Sequence, residues 1–281
     1  MKFEKWQALG NDYLILETQN LPWDLNAKRV EWLCDPHFGA GADGILLLER
    51  NPDPEFVADL RIFNPDGSEA ELSGNGAREA ILYLRRHGWT DEDEFAISTV
   101  AGPIRPTITG ELTCAVEMGR ASTKSKDFPS GGEDGRGTLS AAGREWTFQH
   151  VSIGNPQCAI VVGEELDELD LGEIGPEIEG HELFPNRTNV SFLDIDEGRV
   201  RARIFERGVG ETLSSGTGAS GAAVTAYLKG SPSAIVVELE GGELEVEIGE
   251  DLAVRLTGWA EPVYSGELSP ELLAALSELD H

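Results

Sequence analysis

Residues 61–77 read RIFNPDGSEAELSGNGA and residues 203–219 read RIFERGVGETLSSGTGA. The two stretches align without a gap at an offset of 215 − 73 = 142. Arg61/Arg203, Ile62/Ile204, Phe63/Phe205, Glu69/Glu211, Ser73/Ser215, Gly74/Gly216, Gly76/Gly218 and Ala77/Ala219 are identical. A second echo pairs Gly10-Asn11 with Gly154-Asn155 at an offset of 154 − 10 = 144, each preceded by an apolar residue, Leu9 and Ile153. Chance in a glycine-rich chain accounts for a bare S-G-x-G-A match, but not for the full ungapped alignment with a second echo in the same order. The chain reads as an internal duplication, and each half has the size of an ordinary domain. The join is expected near residue 119, just before STKSKDFPSGGEDGRG (122–137), which reads as a surface turn or loop.

Working outward from the repeat, β-type runs alternate with turn signals in both halves. In the first half they cover Tyr13 to Glu17, Gly44 to Leu48, Asp59 to Phe63 and Glu94 to Thr99. In the second they cover Gln149 to Ile153, Ala159 to Val162, Asn189 to Leu193 and Arg199 to Phe205. After each S-G-x-G-A a helical pattern follows, Ala77 to His87 and Ala219 to Lys229, each with a basic last turn and then a glycine, Gly88 or Gly230. Each repeat motif therefore sits where a strand and loop feed a helix N-terminus.

Such a corner has a chemistry of its own. The first N–H groups of a helix have no partner inside it, the aligned peptide dipoles add positive potential, and glycine lets an anion come close to the backbone. One such corner is commonplace. Two related by duplication, each with a hydroxyl residue at the same place, Ser73 and Ser215, point to one ligand flanked by matched groups if the halves face each other. That arrangement suits a reaction at one carbon approached from opposite sides.

Composition limits what the ligand can be. Among 281 residues there are 51 Asp plus Glu against 22 Lys plus Arg, a formal charge of −29. This field repels phosphate backbones and anionic lipid, so nucleic acid and membrane partners are not expected. The acids are spread along the chain, as on a strongly solvated surface. A carboxylate substrate would need local positive potential from backbone N–H groups or a placed Arg. No apolar run approaches the ~20 residues that span a bilayer, and the N-terminus shows no leader pattern, so a cytoplasmic protein is expected. Cys34, Cys114 and Cys158 are odd in number and far apart, which suggests ordinary buried thiols and neither a disulfide framework nor a zinc site. The histidines, His37, His87, His150, His181 and His281, show no H-x-x-x-H spacing, so a metal-free mechanism is the expectation.

With these residues in hand, the sequence resembles the diaminopimelate epimerase family through nearly its whole length. The segments that carry the resemblance are LGNDY (9–13), CDPHFGAGADGILLLE (34–49), RIFNPDGSEAELSGNGARE (61–79), SIGNPQ (152–157), RTNV (187–190) and ERGVGETLSSGTGASGA (206–222). The resemblance implies an α+β fold of two homologous, pseudo-symmetric domains, each a curled, mostly antiparallel sheet around a central helix. It implies an epimerase-like half at 1–119, a second at 120–262, and a segment at 263–281 that packs back on the first. It also implies an amino acid isomerase with no cofactor, independent of pyridoxal phosphate, which inverts one α-carbon of diaminopimelate between the LL and meso forms. In the family, two cysteines move the proton and two helix N-termini hold the α-carboxylate. Carried over, the catalytic pair is Ser73 and Ser215, and Gly74, Asn75, Gly216 and Thr217 contact the carboxylate. Asn11, Asn64, Asn155, Asn189, Glu206 and Arg207 read the distal amino acid end, Arg207 facing its carboxylate and Glu206 its ammonium. An amide both donates and accepts, which suits a zwitterion, although for any one Asn a turn-forming role is an equal reading. The expected partners are a small amino acid substrate and, as enzymes of this size often pair, a second copy of the chain in a homodimer.

Serine at both cysteine positions changes the chemistry. A thiol ionises near pH ~8.5 and lower at a helix N-terminus, whereas a serine hydroxyl needs an adjacent base, and neither motif has His or Lys beside it. Gln157 stands where the family commonly has His after G-N-P, and Glu79 where an apolar or Cys residue is usual. Proton transfer is therefore expected to be impaired unless a base comes from elsewhere. Three readings stay open: an epimerase by descent and substrate, its serines native or introduced; a relative with altered chemistry, such as a lyase, dehydratase or one-base isomerase; and a catalytically silent amino acid binding protein.

Overall fold

The computed structural model of the chain describes residues 1–71 and 73–279. Leu72, and Asp280 and His281 at the end of the 263–281 segment, lie outside the described residues. The chain forms two compact units, Met1–Val116 with Trp259–His281, and Glu117–Gly258. The divisions fall a few residues before the joints at 119/120 and 262/263, because Glu261 and Pro262 already pair with Gln7 and Trp6.

In chain order the first unit holds β1 (Lys2–Ala8), β2 (Asn11–Glu17), α1 (Ala27–Cys34), β3 (Ile45–Glu49), β4 (Ala58–Phe63), β5 (Glu69–Ala70), α2 (Gly74–Arg86), β6 (Ile97–Thr99), β7 (Pro106–Gly110) and β8 (Thr113–Arg120), the last carrying the chain past the division. The second holds β9 (Arg136–Ala141), β10 (Arg144–Ser152), β11 (Pro156–Val161), α3 (Leu171–Glu179), β12 (Asn189–Asp196), β13 (Arg199–Glu206), β14 (Gly210–Thr212), α4 (Gly216–Leu228), β15 (Ile235–Leu239), β16 (Gly242–Ile248) and β17 (Ala253–Trp259). The chain then returns to the first unit as β18 (Glu261–Glu267) and α5 (Pro270–Ser277).

The two units repeat one ladder. In the first, β1 is antiparallel to β2, β2 parallel to β3, β3 antiparallel to β4, and β4 antiparallel to β5 and parallel to β6. In the second, β10, β11, β12, β13, β14 and β15 pair in the same succession and the same senses. Even the surface ion pairs repeat: Arg61 binds Glu69 on the β4–β5 hairpin, and Arg203 binds Glu211 on the β13–β14 hairpin, each at 2.8 Å. β18 extends the first sheet beyond β1, and β16, β17 and β9 enlarge the second.

Each sheet curls around a buried helix that follows the S-G-x-G-A motif. α2 packs on β1, β2 and β3, and α4 on β10 through β13, β15 and β16. Small residues make up most of α4, GTGASGAAVTAYL, and its positions from Gly218 to Ala226 are all buried, as expected of a helix with no polar face. On the outer side of the first sheet, Phe3, Leu14, Leu16, Ile45, Leu47 and Phe63 meet α1 through Val30 and Leu33 and the C-terminal segment through Leu268 and Leu276. Arg29 Nε donates to Leu276 O at 2.9 Å and holds that segment to α1. In the second unit, Trp146, Phe148, Phe184, Phe192 and Phe205 form an aromatic core with Leu171 and Ile178 of α3.

The 122–137 stretch differs from the plain surface loop read from its composition. Phe128 is buried, its ring centroid 5.2 Å from Phe148 and 5.6 Å from Phe184, and Asp127 accepts from Asn186 Nδ2 at 2.9 Å. One aromatic anchors an otherwise polar segment, and β9 begins within it at Arg136. Both motif helices also start earlier than their apolar pattern, at Gly74 and Gly216, and His87 and Lys229 are cap residues beyond their last turns. Among the described residues no helix is long and apolar enough to cross a membrane.

Candidate active site

The serines cap the helices. Ser73 and Ser215 have extended backbones, and each Oγ accepts from the N–H three residues on, Gly76 N at 3.1 Å and Gly218 N at 3.2 Å. This satisfies one of the orphan donors of each helix start. The glycines have a packing role in addition to the anion approach read from sequence. A Cβ on Gly218 would lie 2.6 Å from Ile204 Cδ1, and one on Gly76 would lie 2.9 Å from Leu46 Cδ2. The helix tips are thereby seated against β13 and β3.

Each serine has a second partner, and the two partners differ in kind. Ser215, which is buried, donates to Glu206 Oε2 at 2.9 Å, and Thr212 Oγ1 donates to Glu206 Oε1 at 2.9 Å. The β13–β14 hairpin, with Glu206 opposite Gly210, brings this carboxylate alongside the helix start. In the first unit, Ser73 Oγ accepts from Tyr13 Oη at 3.2 Å. Tyr13 follows Asn11 by two on β2, so the two side chains share a face. Asn11 Oδ1 accepts from Asn75 Nδ2 at 3.3 Å, so both residues reach the start of α2.

The remaining expected site residues fall into local groups. Asn75 is buried, and Arg78 clamps the first turn of α2, donating from Nη2 to Asn75 Oδ1 at 2.6 Å and from Nη1 to Gly74 O at 3.1 Å. Asn11 Nδ2 donates to Asp43 Oδ2 at 2.9 Å. Asn64 sits in the β4–β5 turn, where its Nδ2 donates to Ser68 Oγ at 2.9 Å and its backbone N–H to Ser68 O at 2.8 Å. In the second unit, Asn155 Nδ2 donates to Thr217 Oγ1 at 3.1 Å, and Asn155 Oδ1 accepts from Gln157 Nε2 at 2.9 Å. Buried Asn189 uses both ends of its amide on backbone, Nδ2 to Pro156 O at 3.1 Å and Oδ1 from Arg207 N at 2.8 Å, and so sets the course of the chain at Arg207. The Arg207 side chain is exposed, with Nη1 donating to Asn186 O at 3.0 Å.

Sequence reasoning missed Tyr13, Thr212, Asp43 and Arg78. The i, i+2 spacing from Asn11 was a usable signal for Tyr13, and the short hairpin before Ser215 was one for Thr212. The protein's own thiols are removed from the chemistry. Burial pushes Cys34 and Cys114 each up to about 12, the charges of Asp12 and Asp43 adding to the effect at Cys34, and burial raises Cys158 as well. Among the described residues no group of three or more His, Cys, Asp or Glu side chains is gathered closely enough to hold a metal ion.

The arrangement is that of two capped helix starts, one hydroxyl giving its proton to a carboxylate and the other taking a hydrogen bond from a phenol. Comparison with known proteins points to one family. The family model described as diaminopimelate epimerase matches residues 3–124 and 149–261. "Diaminopimelate epimerase 2" of Nostoc sp. is 41% identical over 280 residues, covering 98% of this chain and 98% of that protein. The diaminopimelate epimerase of Desulforudis audaxviator is 41% identical over 282 residues, covering 95% of this chain and 99% of that one. Among solved structures, a PhzF-family phenazine biosynthesis protein from Bacillus anthracis superposes with a TM-score of 0.68 at 18% identity, covering 96% of this chain and 99% of that one. A hydroxyproline epimerase from Agrobacterium vitis with bound trans-4-hydroxy-L-proline does so with a TM-score of 0.63 at 16% identity, covering 99% and 98%. At those identities the structures speak to the fold alone.

Proposed function

The chain belongs to the diaminopimelate epimerase family, and from that premise we propose that it interconverts LL- and meso-diaminopimelate, Ser73 and Ser215 addressing opposite faces of one α-carbon. It is an isomerase acting on an amino acid. The reading needs no cofactor. Gly74, Asn75, Gly216 and Thr217 at the helix starts hold the α-carboxylate, where backbone N–H groups and helix dipoles bear on the charge that develops beside it. Arg207 takes the distal carboxylate, and Asn11, Asn64, Asn155 and Asn189 the remaining polar contacts of the distal end.

The hydrogen bond from Ser215 to Glu206 carries the reading. A serine hydroxyl becomes a useful proton acceptor when a neighbouring base can take its own proton. As Ser215 Oγ takes the α-proton, the proton it held passes to Glu206 Oε2, and the C–H electron pair stays on the α-carbon, delocalised into the held carboxylate. Ser73 then gives its proton to the opposite face, and that pair forms the new C–H bond. Glu206, expected to face the substrate ammonium, serves here as the terminal proton acceptor, steadied by Thr212. The family's place in making lysine and peptidoglycan precursors supports a cytoplasmic location, and a homodimer is the assembly we propose for a chain of this size.

Glu206→Gln keeps the shape and removes the acceptor. We expect kcat for LL-to-meso conversion to fall by about 10²–10⁴-fold, the usual span for a general base, with the circular dichroism spectrum unchanged. A folded Glu206→Gln protein with kcat within twofold of the parent would rule out Glu206 as the base.

A further inference from the structure

We propose that Tyr13 is the positioning residue behind Ser73, its phenol holding Ser73 as a proton donor and refilling it once that proton has gone to the substrate. The assignment rests on the reading of Ser73 given above and deepens it.

Three observations within the first unit support it. Tyr13 Oη donates to Ser73 Oγ at 3.2 Å, and Gly76 N donates to the same oxygen at 3.1 Å. A hydroxyl has two acceptor lone pairs and one hydrogen, so both acceptor positions of Ser73 are filled, and among the described residues no acceptor is placed on its hydrogen. Ser73 is therefore set up to give a proton, whereas Ser215 gives its own to Glu206. The third observation is the space made for the ring. A Cβ on Gly44 would fall 2.6 Å from Tyr13 Cε1 and 2.4 Å from the Phe63 carbonyl oxygen. The buried Tyr13 ring thus occupies the volume that any side chain at residue 44 would need, wedged where β2, β3 and β4 lie side by side. The partner is also peculiar to this half. The echo of Tyr13 in the second half is Gln157, offset 157 − 13 = 144, and its Nε2 donates to Asn155.

The chemistry balances. Ser73 Oγ–H gives its proton to the α-carbon and the carbanion pair forms the C–H bond. A bare serine alkoxide would be the costly product, but Tyr13 Oη–H passes its proton to Ser73 Oγ, so the charge rests on a phenolate whose parent phenol ionises near pH ~10. Net, one proton leaves Tyr13 and one arrives at Glu206, and exchange with solvent restores both. In the reverse direction the phenolate draws the α-proton back through Ser73.

The test is the steady-state conversion of LL- to meso-diaminopimelate by the whole chain, with Tyr13→Phe and with 3,5-difluorotyrosine in place of Tyr13. Tyr13→Phe should lower kcat by about 100-fold, the low end for a lost acid, with KM within twofold. The fluorinated phenol keeps the ring's place but is a stronger acid, so the alkaline limb of the kcat–pH profile should move to lower pH. A Tyr13→Phe kcat within twofold of the parent, or a limb unmoved by fluorination, overturns the assignment. Ser73→Ala in the same assay separates the two layers. If it abolishes turnover while Tyr13→Phe does not, only Tyr13 fails; if it turns over normally, the reading of Ser73 fails and takes Tyr13 with it.

Discussion

Glu79 sits one turn into α2 with no exposure to solvent, and neither of its carboxyl oxygens has a well-formed hydrogen bond, although the Tyr13 backbone N–H bears on them. Burial pushes its pKa well above the ordinary 4.5, the adjacent Arg78 guanidinium and the Tyr13 N–H opposing this and the charges of Asp12 and Asp43 adding to it. A buried polar group without partners costs about 1–3 kcal/mol. Glu79→Met, similar in length and apolar, is expected to raise the free energy of unfolding by that amount near neutral pH. The sign with pH follows from linkage. A carboxyl whose pKa is raised on folding contributes fully below its unfolded value and loses that contribution as pH rises through the folded value. The gap between Glu79→Met and the parent should therefore widen in urea denaturation as pH rises above the ordinary carboxylate range, and a gap that is constant or narrows would mean that Glu79 is not held protonated.

At the scale of elements, the same motif is seated twice with unequal tolerance. Alanine relieves the cost of a helical glycine by about 1 kcal/mol, but at Gly218 the new Cβ meets Ile204 Cδ1 at 2.6 Å, Ile204 Cγ2 at 3.1 Å and Ser215 Cβ at 3.1 Å. At Gly76 the contacts are Leu46 Cδ2 at 2.9 Å and then Ser73 at 3.4 Å. Overpacking of a filled core costs about 1–3 kcal/mol. Gly218→Ala should therefore lower the melting temperature while Gly76→Ala leaves it close to the parent, and equal effects would contradict the seating described. The duplication, both motif helices and the serines at their starts were legible in the sequence, because a helix start and a repeat are local patterns, whereas the capping bonds came from the structure. What was hidden lies across strands. Glu206 reaches Ser215 through the β13–β14 pairing and Tyr13 reaches Ser73 from β2; spacing puts Tyr13 on the face of Asn11, but no stretch of sequence shows which strand lies beside which helix tip. β16, GELEVEI, alternates as a strand does, although the runs read from the sequence stop at Phe205, and the pairing of β18 with β1, from opposite ends of the chain, could come only from the fold.

For the molecule as a whole, a formal charge of −29 leaves an anionic substrate dependent on local fields. In the proposed reaction the two helix starts, one from each unit, and Arg207 would supply them, and the asymmetric partners of the serines would give the duplicated frame a direction: a carboxylate to receive a proton, a phenol to provide one. That division of labour requires both units to act on one α-carbon. The direct measurement is proton NMR of LL-diaminopimelate incubated with the whole chain in D2O. The α-proton resonance should fall as the meso isomer accumulates with deuterium at the inverted centre, the other α-carbon keeping its proton in that turnover. An undiminished α-proton resonance, with diaminopimelate bound to the protein, would contradict the account.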